Sequence, residues 1–261
     1  MTQLQGKIAI VTGGAKGLGA AIARLFVQEG ARVVLTDVDV QTGAETALRI
    51  GERARFERHD VRLESDWERV IGAVVAELGR LDILVNNAGV IEIGNIETQT
   101  AEQWRLVNSV IADGTFFGCK HAVRAMKGTG GGAIVNVASI ASIQGEPYVA
   151  AYCAAKGSVE ALTRSVAVHC AQMRYNIRCN SIHPAKIETP LVAEIPEKFN
   201  AAVRAGMRPP EQLGSVNSYT AQPEEIAPAV LYLASDAAKY VNGTRLVIDN
   251  TMSITTGSVP A

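Results

Sequence analysis

Short apolar runs rich in β-branched residues alternate with longer amphipathic stretches almost from end to end of the chain. Ile8 to Val11, Val33 to Leu35, Ile83 to Val85, Ile134 to Val137 and Leu246 to Ile248 read as buried strands. Between the first two, Leu18, Ala21, Ile22, Leu25 and Phe26 recur at helical spacing, and Gly30 closes that helix. Similar helical patterns cover about 64–78, 101–127, 150–172 and 222–235. Alternation of this kind predicts an α/β fold, a doubly wound parallel sheet of about seven strands with helices on both faces and right-handed crossovers. No internal repeat and no linker rich in Pro, Gly and Ser divides the chain, so residues 1–261 are expected to form a single domain. The GTGGG run at 128–132 reads as a plain turn before a strand.

One segment breaks the rhythm. From about Glu188 to Ser218 the chain carries Pro190, Pro196, Pro209 and Pro210, two helix-like pieces and no strand pattern. A long excursion inside a compact domain is usually functional, and the segment at about 188–218 reads as a substrate lid. Its Leu191, Val192, Ile195, Phe199 and Met207 point to an apolar, cyclic, steroid-like substrate.

Composition narrows the function classes. The 261 residues are 48% hydrophobic and 20% charged, enough apolar chain for one large core and too much for disorder. A net charge of −1 removes the basic footprint of a nucleic-acid or anionic-membrane binder. No apolar run approaches the roughly 18–20 residues needed to span a bilayer, and Met1 to Val11 meets a Gly-rich turn before a signal sequence could develop. Cys119, Cys153, Cys170 and Cys179 form no C-x-x-C pair, so neither a zinc knuckle nor a disulfide framework is expected. The expectation is a soluble, reduced, cytoplasmic protein. His59, His121, His169 and His183 are scattered, none pairs with an acid at metal spacing, and all four read as structural.

Residues 12–19, TGGAKGLG, fall between the first strand and the first helix. Gly13, Gly17 and Gly19 allow a tight turn and close backbone approach to a pyrophosphate, which the helix N-terminus favours; Lys16 and Leu18 lie in the same turn. Asp37 follows Gly17 by 20 residues and closes the next strand, where a carboxylate accepts bonds from the adenosine ribose hydroxyls. A carboxylate there repels the 2′-phosphate of NADP, and Val38 offers no charge to offset it. Lys16 argues the other way with less weight, since Asp37 would act at closer range. NAD is the expected cofactor, ahead of NADP.

Tyr152 and Lys156 are four apart on a predicted helix and share one face. A phenol of pKa about 10 is a poor proton carrier at neutral pH. An ammonium at ~4 Å is worth about three pKa units at an effective dielectric near 20, which would bring the phenol toward the working range. Ser139 ends the strand Ile134 to Ala138, at the sheet edge where open α/β sheets bind ligands. Its hydroxyl can hold an alcohol or polarise a carbonyl while Tyr152 moves the proton. Glu146 and Tyr148, between them, are expected to line the substrate pocket.

Taken together these motifs resemble the short-chain dehydrogenase/reductase family over essentially the whole chain, within it most closely the bacterial hydroxysteroid and secondary-alcohol dehydrogenases. TGGAKGLG, NNAG at Asn86 to Gly89, Ser139 thirteen residues before Tyr152, and Lys156 all fit its pattern. The resemblance implies a Rossmann-like fold, Asp60 and Val61 beside the adenine, Asn87, Ala88 and Gly89 beside the cofactor, and Ile187 and Thr189 on the carboxamide. It also implies a homotetramer built on helices 101–127 and 150–172 and on the last strand. Two positions depart from the pattern. The family's catalytic asparagine, seven residues after Trp104, is Ile111, which has no group to hold a relay water. Ala185 stands where a glycine usually follows Pro184, so a methyl would restrict the backbone or trim the pocket.

The expected function is an NAD-dependent oxidoreductase interconverting a secondary alcohol and a ketone, with no metal in the site. Two alternatives remain open. One is a cofactor-binding protein with weak turnover because of Ile111. The other is an NADPH-dependent ketoreductase, favoured by Lys16 and disfavoured by Asp37.

Overall fold

The computed structural model describes residues 2–208 and 220–254. In chain order these form β1 (Ile8–Thr12), α1 (Gly17–Gln28), β2 (Arg32–Asp37), α2 (Val40–Ile50), β3 (Ala54–Arg58), α3 (Glu64–Leu78) and β4 (Ile83–Asn86). There follow α4 (Ala101–Asn108), α5 (Gly114–Met126), β5 (Gly132–Val137), α6 (Ala150–Gln172) and β6 (Ile177–Pro184). The segment expected to form a lid contributes α7 (Pro190–Ala193) and α8 (Ile195–Arg204), before α9 (Pro223–Ala234) and β7 (Arg245–Ile248). Pro209, Pro210 and the remainder of the expected lid to residue 218 lie outside the described residues.

The strands make one parallel sheet in the order β3-β2-β1-β4-β5-β6-β7. This is the doubly wound, Rossmann-like architecture expected. Side-chain alternation explains its two buried faces. Ala9 and Val11 of β1 join Leu18, Ile22 and Phe26 of α1 and Val230 of α9 on one face. Ile8 and Ile10 point the other way, to Trp67 and Val70 of α3, Cys119 and Met126 of α5 and Cys170 of α6. A strand apolar on both sides belongs in a parallel sheet covered on both faces. The strand order reverses between β1 and β4, which opens a crevice at the carboxyl ends of the strands.

Three elements go beyond the apolar-run reading. β3, Ala54–Arg58, is an edge strand with alternating charge and no continuous apolar run. α2 carries few buried residues. β6 is polar yet lies inside the sheet, because its polar groups are satisfied locally. Asn180 Nδ2 donates to the Val241 carbonyl at 2.8 Å and its Oδ1 accepts from Thr244 N at 3.0 Å. Arg178 donates to the carbonyls of Leu233 and Ser235 at 2.7 and 3.0 Å. Buried polar groups are tolerated when paired in this way.

The helix expected over 101–127 is interrupted. Residues Ser109–Asp113 form a single π-helical turn between α4 and α5, and such turns occur frequently at functional sites. α4 itself begins at a capping box, in which Thr100 and Gln103 satisfy each other's backbone N–H.

Candidate active site

The carboxyl ends of β1, β2, β4, β5 and β6 converge on a cavity of about 550 Å³. Its first wall is the glycine turn. Gly13 has φ +62°, and a β-carbon on it would come 2.9 Å from Ala88 Cα. A β-carbon on Gly19 would overlap the Gly13 carbonyl. The NNAG segment is locked to this turn by Thr12, which sequence reasoning missed. Thr12 Oγ1 accepts from Asn87 N at 3.0 Å and Ala88 N at 3.1 Å, while Asn87 Nδ2 donates to the Thr12 carbonyl at 2.9 Å. Gly13, Lys16, Gly17 and Leu18 line the cavity, as do Asn87, Ala88 and Gly89. The bare cradle, closed to any β-carbon at Gly13 and Gly19, fits a dinucleotide pyrophosphate on the α1 N-terminus.

Asp37, Val38, Asp60 and Val61 line the part of the cavity at the end of β2, where the adenosine is expected. Asp37 accepts from Ala15 N at 3.2 Å and from Asp39 N at 3.1 Å, so its carboxylate is held at the end of β2. Asp39, not Asp37, caps α2, accepting from Thr42 N. The nearby cations are already countered. Lys16 Nζ lies 4.0 Å from Asp39, and Arg62 pairs with Asp60 at 2.6 Å. That Arg62 bond, foremost, holds the Asp60 carboxyl below the usual range.

Ile187 and Thr189 lie across the cavity from α1. Ile187 pairs in an isolated bridge with Ala221, and Thr189 Oγ1 caps α7 by accepting from Val192 N at 3.4 Å. A β-carbon on Gly17 would lie 3.2 Å from Thr189 Cγ2, so the segment closes directly over the glycine turn. Ala185 lines the cavity, and its backbone is outside the left-handed region, so the methyl trims the space without straining the chain. Leu191, Ile195, Phe199 and Met207 pack with Ile91, Ile93 and Tyr148 into one apolar cluster beside Tyr152. Tyr148 supports the lid through Phe199, ring centroids 5.4 Å apart, and neither it nor Glu146 lines the cavity. That corrects the expectation that both do.

Ser139, Tyr152 and Lys156 meet at the opposite end of the same cavity. Ser139 hydrogen-bonds to Tyr152, which favours the phenolate, but burial dominates and pushes the phenol up to about 12. Burial likewise pushes Lys156 down to about 8. The expected lowering of the phenol by the ammonium is therefore not what the protein's own groups produce. Lys156 Nζ donates to the Val137 carbonyl at 2.6 Å and sits over the Tyr152 ring, 5.5 Å from its centre.

Ile111 is 1% exposed and packs with Val107, Ala138, Ala155 and Val159. It lies on the π turn beside the lysine: a β-carbon on Gly89 would be 3.8 Å from Lys156 Nζ and 3.9 Å from Ile111 Cδ1. Of the histidines, His121 departs from its expectation. Its Nε2 lies 2.9 Å from Glu64 Oε1, and Glu68 is close enough to complete a metal-like cluster. Residues 57 apart cannot show this by spacing. Lys120 Nζ binds the same Glu64 oxygen at 2.6 Å, which makes the cluster an ion pair between α3 and α5.

A family model described as enoyl-(acyl carrier protein) reductase matches residues 13–253. The chain is 40% identical to a 3-beta-hydroxysteroid dehydrogenase of Comamonas testosteroni, over 96% of this chain and 97% of that one.

The chain belongs to the short-chain dehydrogenase/reductase family.

This short-chain dehydrogenase/reductase is also 38% identical to an NADP-dependent (R)-specific alcohol dehydrogenase of Lentilactobacillus kefiri, covering 95% and 96% of the two chains. A cyclopentanol dehydrogenase of Comamonas sp. is 36% identical over 95% and 98%. The family places it among NAD(P)-dependent alcohol dehydrogenases and ketoreductases. No helix among the described residues is long and apolar enough to cross a membrane.

Proposed function

We propose that this enzyme moves a hydride between a secondary alcohol and a ketone, uses NAD, and acts on an apolar, cyclic substrate. One observation carries the reading: a single cavity joins Asp37 and the glycine turn at one end to Ser139, Tyr152 and Lys156 at the other. The nicotinamide dinucleotide, when bound, supplies or accepts the hydride. Gly13, Gly17 and Gly19 let the backbone approach its pyrophosphate, Asp60 and Val61 flank its adenine, and Ile187 and Thr189 hold its carboxamide. Ser139 orients the substrate oxygen, Tyr152 carries the proton, and Lys156 holds the ribose. Ile91, Leu191 and Val192 on the cavity wall support an apolar substrate under a lid, and the relatives' names, hydroxysteroid and cyclopentanol dehydrogenase, support a cyclic one. A homotetramer in the cytoplasm completes the proposal, supported by the exposed Trp104, Phe116 and Val168 on α4, α5 and α6.

The preference for NAD rests on charge. A unit pair at ~5 Å and an effective dielectric near 20 is worth roughly 3 kcal/mol, so Asp37 strongly disfavours a 2′-phosphate. Lys16, half-exposed and facing Asp39, offers little in return. Fluorescence titration should show NADH binding at least about tenfold tighter than NADPH, with the gap narrowed in Asp37→Ala. Equal affinity of the unmodified protein would shift the reading to an NADPH ketoreductase and credit Lys16.

Ile111 predicts a slow enzyme. Methyl groups beside Lys156 neither donate nor accept, so the proton must leave by another route. Ile111→Asn should raise kcat several-fold with less change in KM, since relay groups act on the transition state. A variant no faster than its parent, with fold and NADH affinity intact, would make Ile111 a packing residue only.

A further inference from the structure

Ser139 carries an essential task in the proposed reaction, yet among the described residues its hydroxyl is held by Ala141 N at 3.2 Å and by Tyr152 alone. Its backbone is held far more firmly. The β5–β6 ladder ends at Ala138, whose N–H donates to the Ile182 carbonyl at 2.9 Å. The Ser139 carbonyl instead accepts from Ser142 N at 3.0 Å, Ser142 Oγ at 2.6 Å and His183 Nδ1 at 3.2 Å.

His183 is fully buried on β6. Its Nδ1 lies 2.8 Å from Ser142 Oγ and its Nε2 lies 2.8 Å from Ser181 Oγ. With the shortest contact, Ser142 Oγ to the Ser139 carbonyl, taken as a donated bond, proton counting sets the other directions. A hydroxyl has one proton, and that of Ser142 goes to the Ser139 carbonyl. Ser142 therefore accepts from His183, which places the imidazole proton on Nδ1. Nε2 is left as an acceptor and takes the Ser181 hydroxyl proton. This neutral tautomer satisfies all three side chains and leaves none of them unpaired.

Burial keeps it neutral. Burial pushes the imidazole down to about 4, against the pull of Glu160 on α6, with Arg245 on β7 and Lys156 on α6 acting in the same direction as burial. Protonation would turn Nε2 into a donor facing Ser181, whose proton would have to turn to the Thr244 carbonyl at 3.4 Å.

We propose that His183 is a positioning residue for the reaction: through Ser142, and directly, it pins the Ser139 carbonyl, and so sets the direction of the Ser139 hydroxyl toward substrate and Tyr152. The proposal rests on the reading of Ser139 as the residue that holds the substrate oxygen. Small misplacements of a reacting group cost on the order of 100-fold in rate. A scaffold that ties one backbone carbonyl to three donors gives that precision to a serine at the end of a strand.

The test measures kcat and KM for cyclopentanol with NAD, together with NADH affinity and Tm. It compares His183→Leu, His183→Asn and Ser142→Ala, each alone and combined with Ser139→Ala. His183→Leu should lower kcat on the order of 10- to 100-fold with KM and NADH affinity nearly unchanged. His183→Asn, which retains a donor toward Ser142, should recover much of the loss, and Ser142→Ala should show a smaller loss of the same kind. In the Ser139→Ala background all three should change kcat by less than about twofold, because the group they position is gone. Equal losses in both backgrounds, or parental kcat in His183→Leu, would overturn the proposal. If His183→Leu fails to fold, His183→Asn and Ser142→Ala decide by the same comparison. Full turnover by Ser139→Ala alone would remove the reading of Ser139, and the proposal with it, an outcome distinct from the others. Nitrogen NMR of labelled histidine should show His183 as the neutral Nδ1–H form from pH 6 to 9, whether or not cyclopentanol is turned over; the Nε2–H form would overturn the network.

Discussion

Tyr152→Phe is expected to lower kcat by about 100-fold or more while NADH affinity stays within about twofold. The variant removes one oxygen and little else. That oxygen is the group placed to exchange a proton with the substrate, beside Ser139 and above the end of β5. Cofactor binding depends on the glycine turn, the NNAG segment and Lys156, none of which the phenol supports. Burial holds the phenol up at about 12, so at neutral pH it carries its proton and is ready to act as an acid in ketone reduction. Alcohol oxidation needs the deprotonated form, so its rate should climb as pH rises toward that value, while reduction should not. A Tyr152→Phe variant within about threefold of its parent would remove the phenol from the proton path, since such roles are worth about 100-fold or more.

Lys156→Met should abolish turnover and weaken NADH binding without lowering thermal stability. Lys156 is 3% exposed, and its ammonium has one hydrogen-bond acceptor, the Val137 carbonyl. Burial pulls its folded pKa down to about 8 from 10.5. Folding therefore opposes the charged form. The penalty is fully present below pH 8 and disappears as pH rises through the interval to 10.5, because there the unfolded chain binds the proton and the folded one does not. A methionine of similar length fills the space and has no such penalty, offset by the loss of one hydrogen bond. The melting temperature at pH 7 should be unchanged or a few degrees higher. A Tm lower by more than about 5 °C would mean that the lysine is a structural element rather than a destabilising group retained for its chemistry.

The stability and function of this chain are written at different ranges along the sequence, which decides what could be read from it. Local patterns were legible. The β-branched runs at Ile8, Val33 and Ile134 mark interior strands because both of their faces are buried, and TGGAKGLG marks a turn because only glycine fits there. β6 was not legible as a strand, since Asn180 and Ser181 look like solvent-facing residues until Val241 and Thr244 arrive to pair with them. The π turn at Ser109–Asp113 left no mark in a helical pattern that continues through it. The serine, tyrosine and lysine were found by type and spacing, but their electrostatics were not. The ammonium donates to the Val137 carbonyl and lies over the tyrosine ring, and burial, not the ammonium, governs the phenol. His183 was legible only as a structural histidine, because its partners Ser139 and Ser142 are more than 40 residues away.

The central claim is tested most directly by the unmodified enzyme. Initial rates of NADH formation should be measured on a panel of secondary alcohols, including cyclopentanol and a hydroxysteroid, with NAD and NADP side by side. The account predicts slow, saturable oxidation of apolar cyclic alcohols with NAD, faster at alkaline pH, and much weaker rates with NADP. Tight NADH binding with no turnover of any alcohol, or of any corresponding ketone in the reverse direction, would contradict it and leave a cofactor-binding protein in its place.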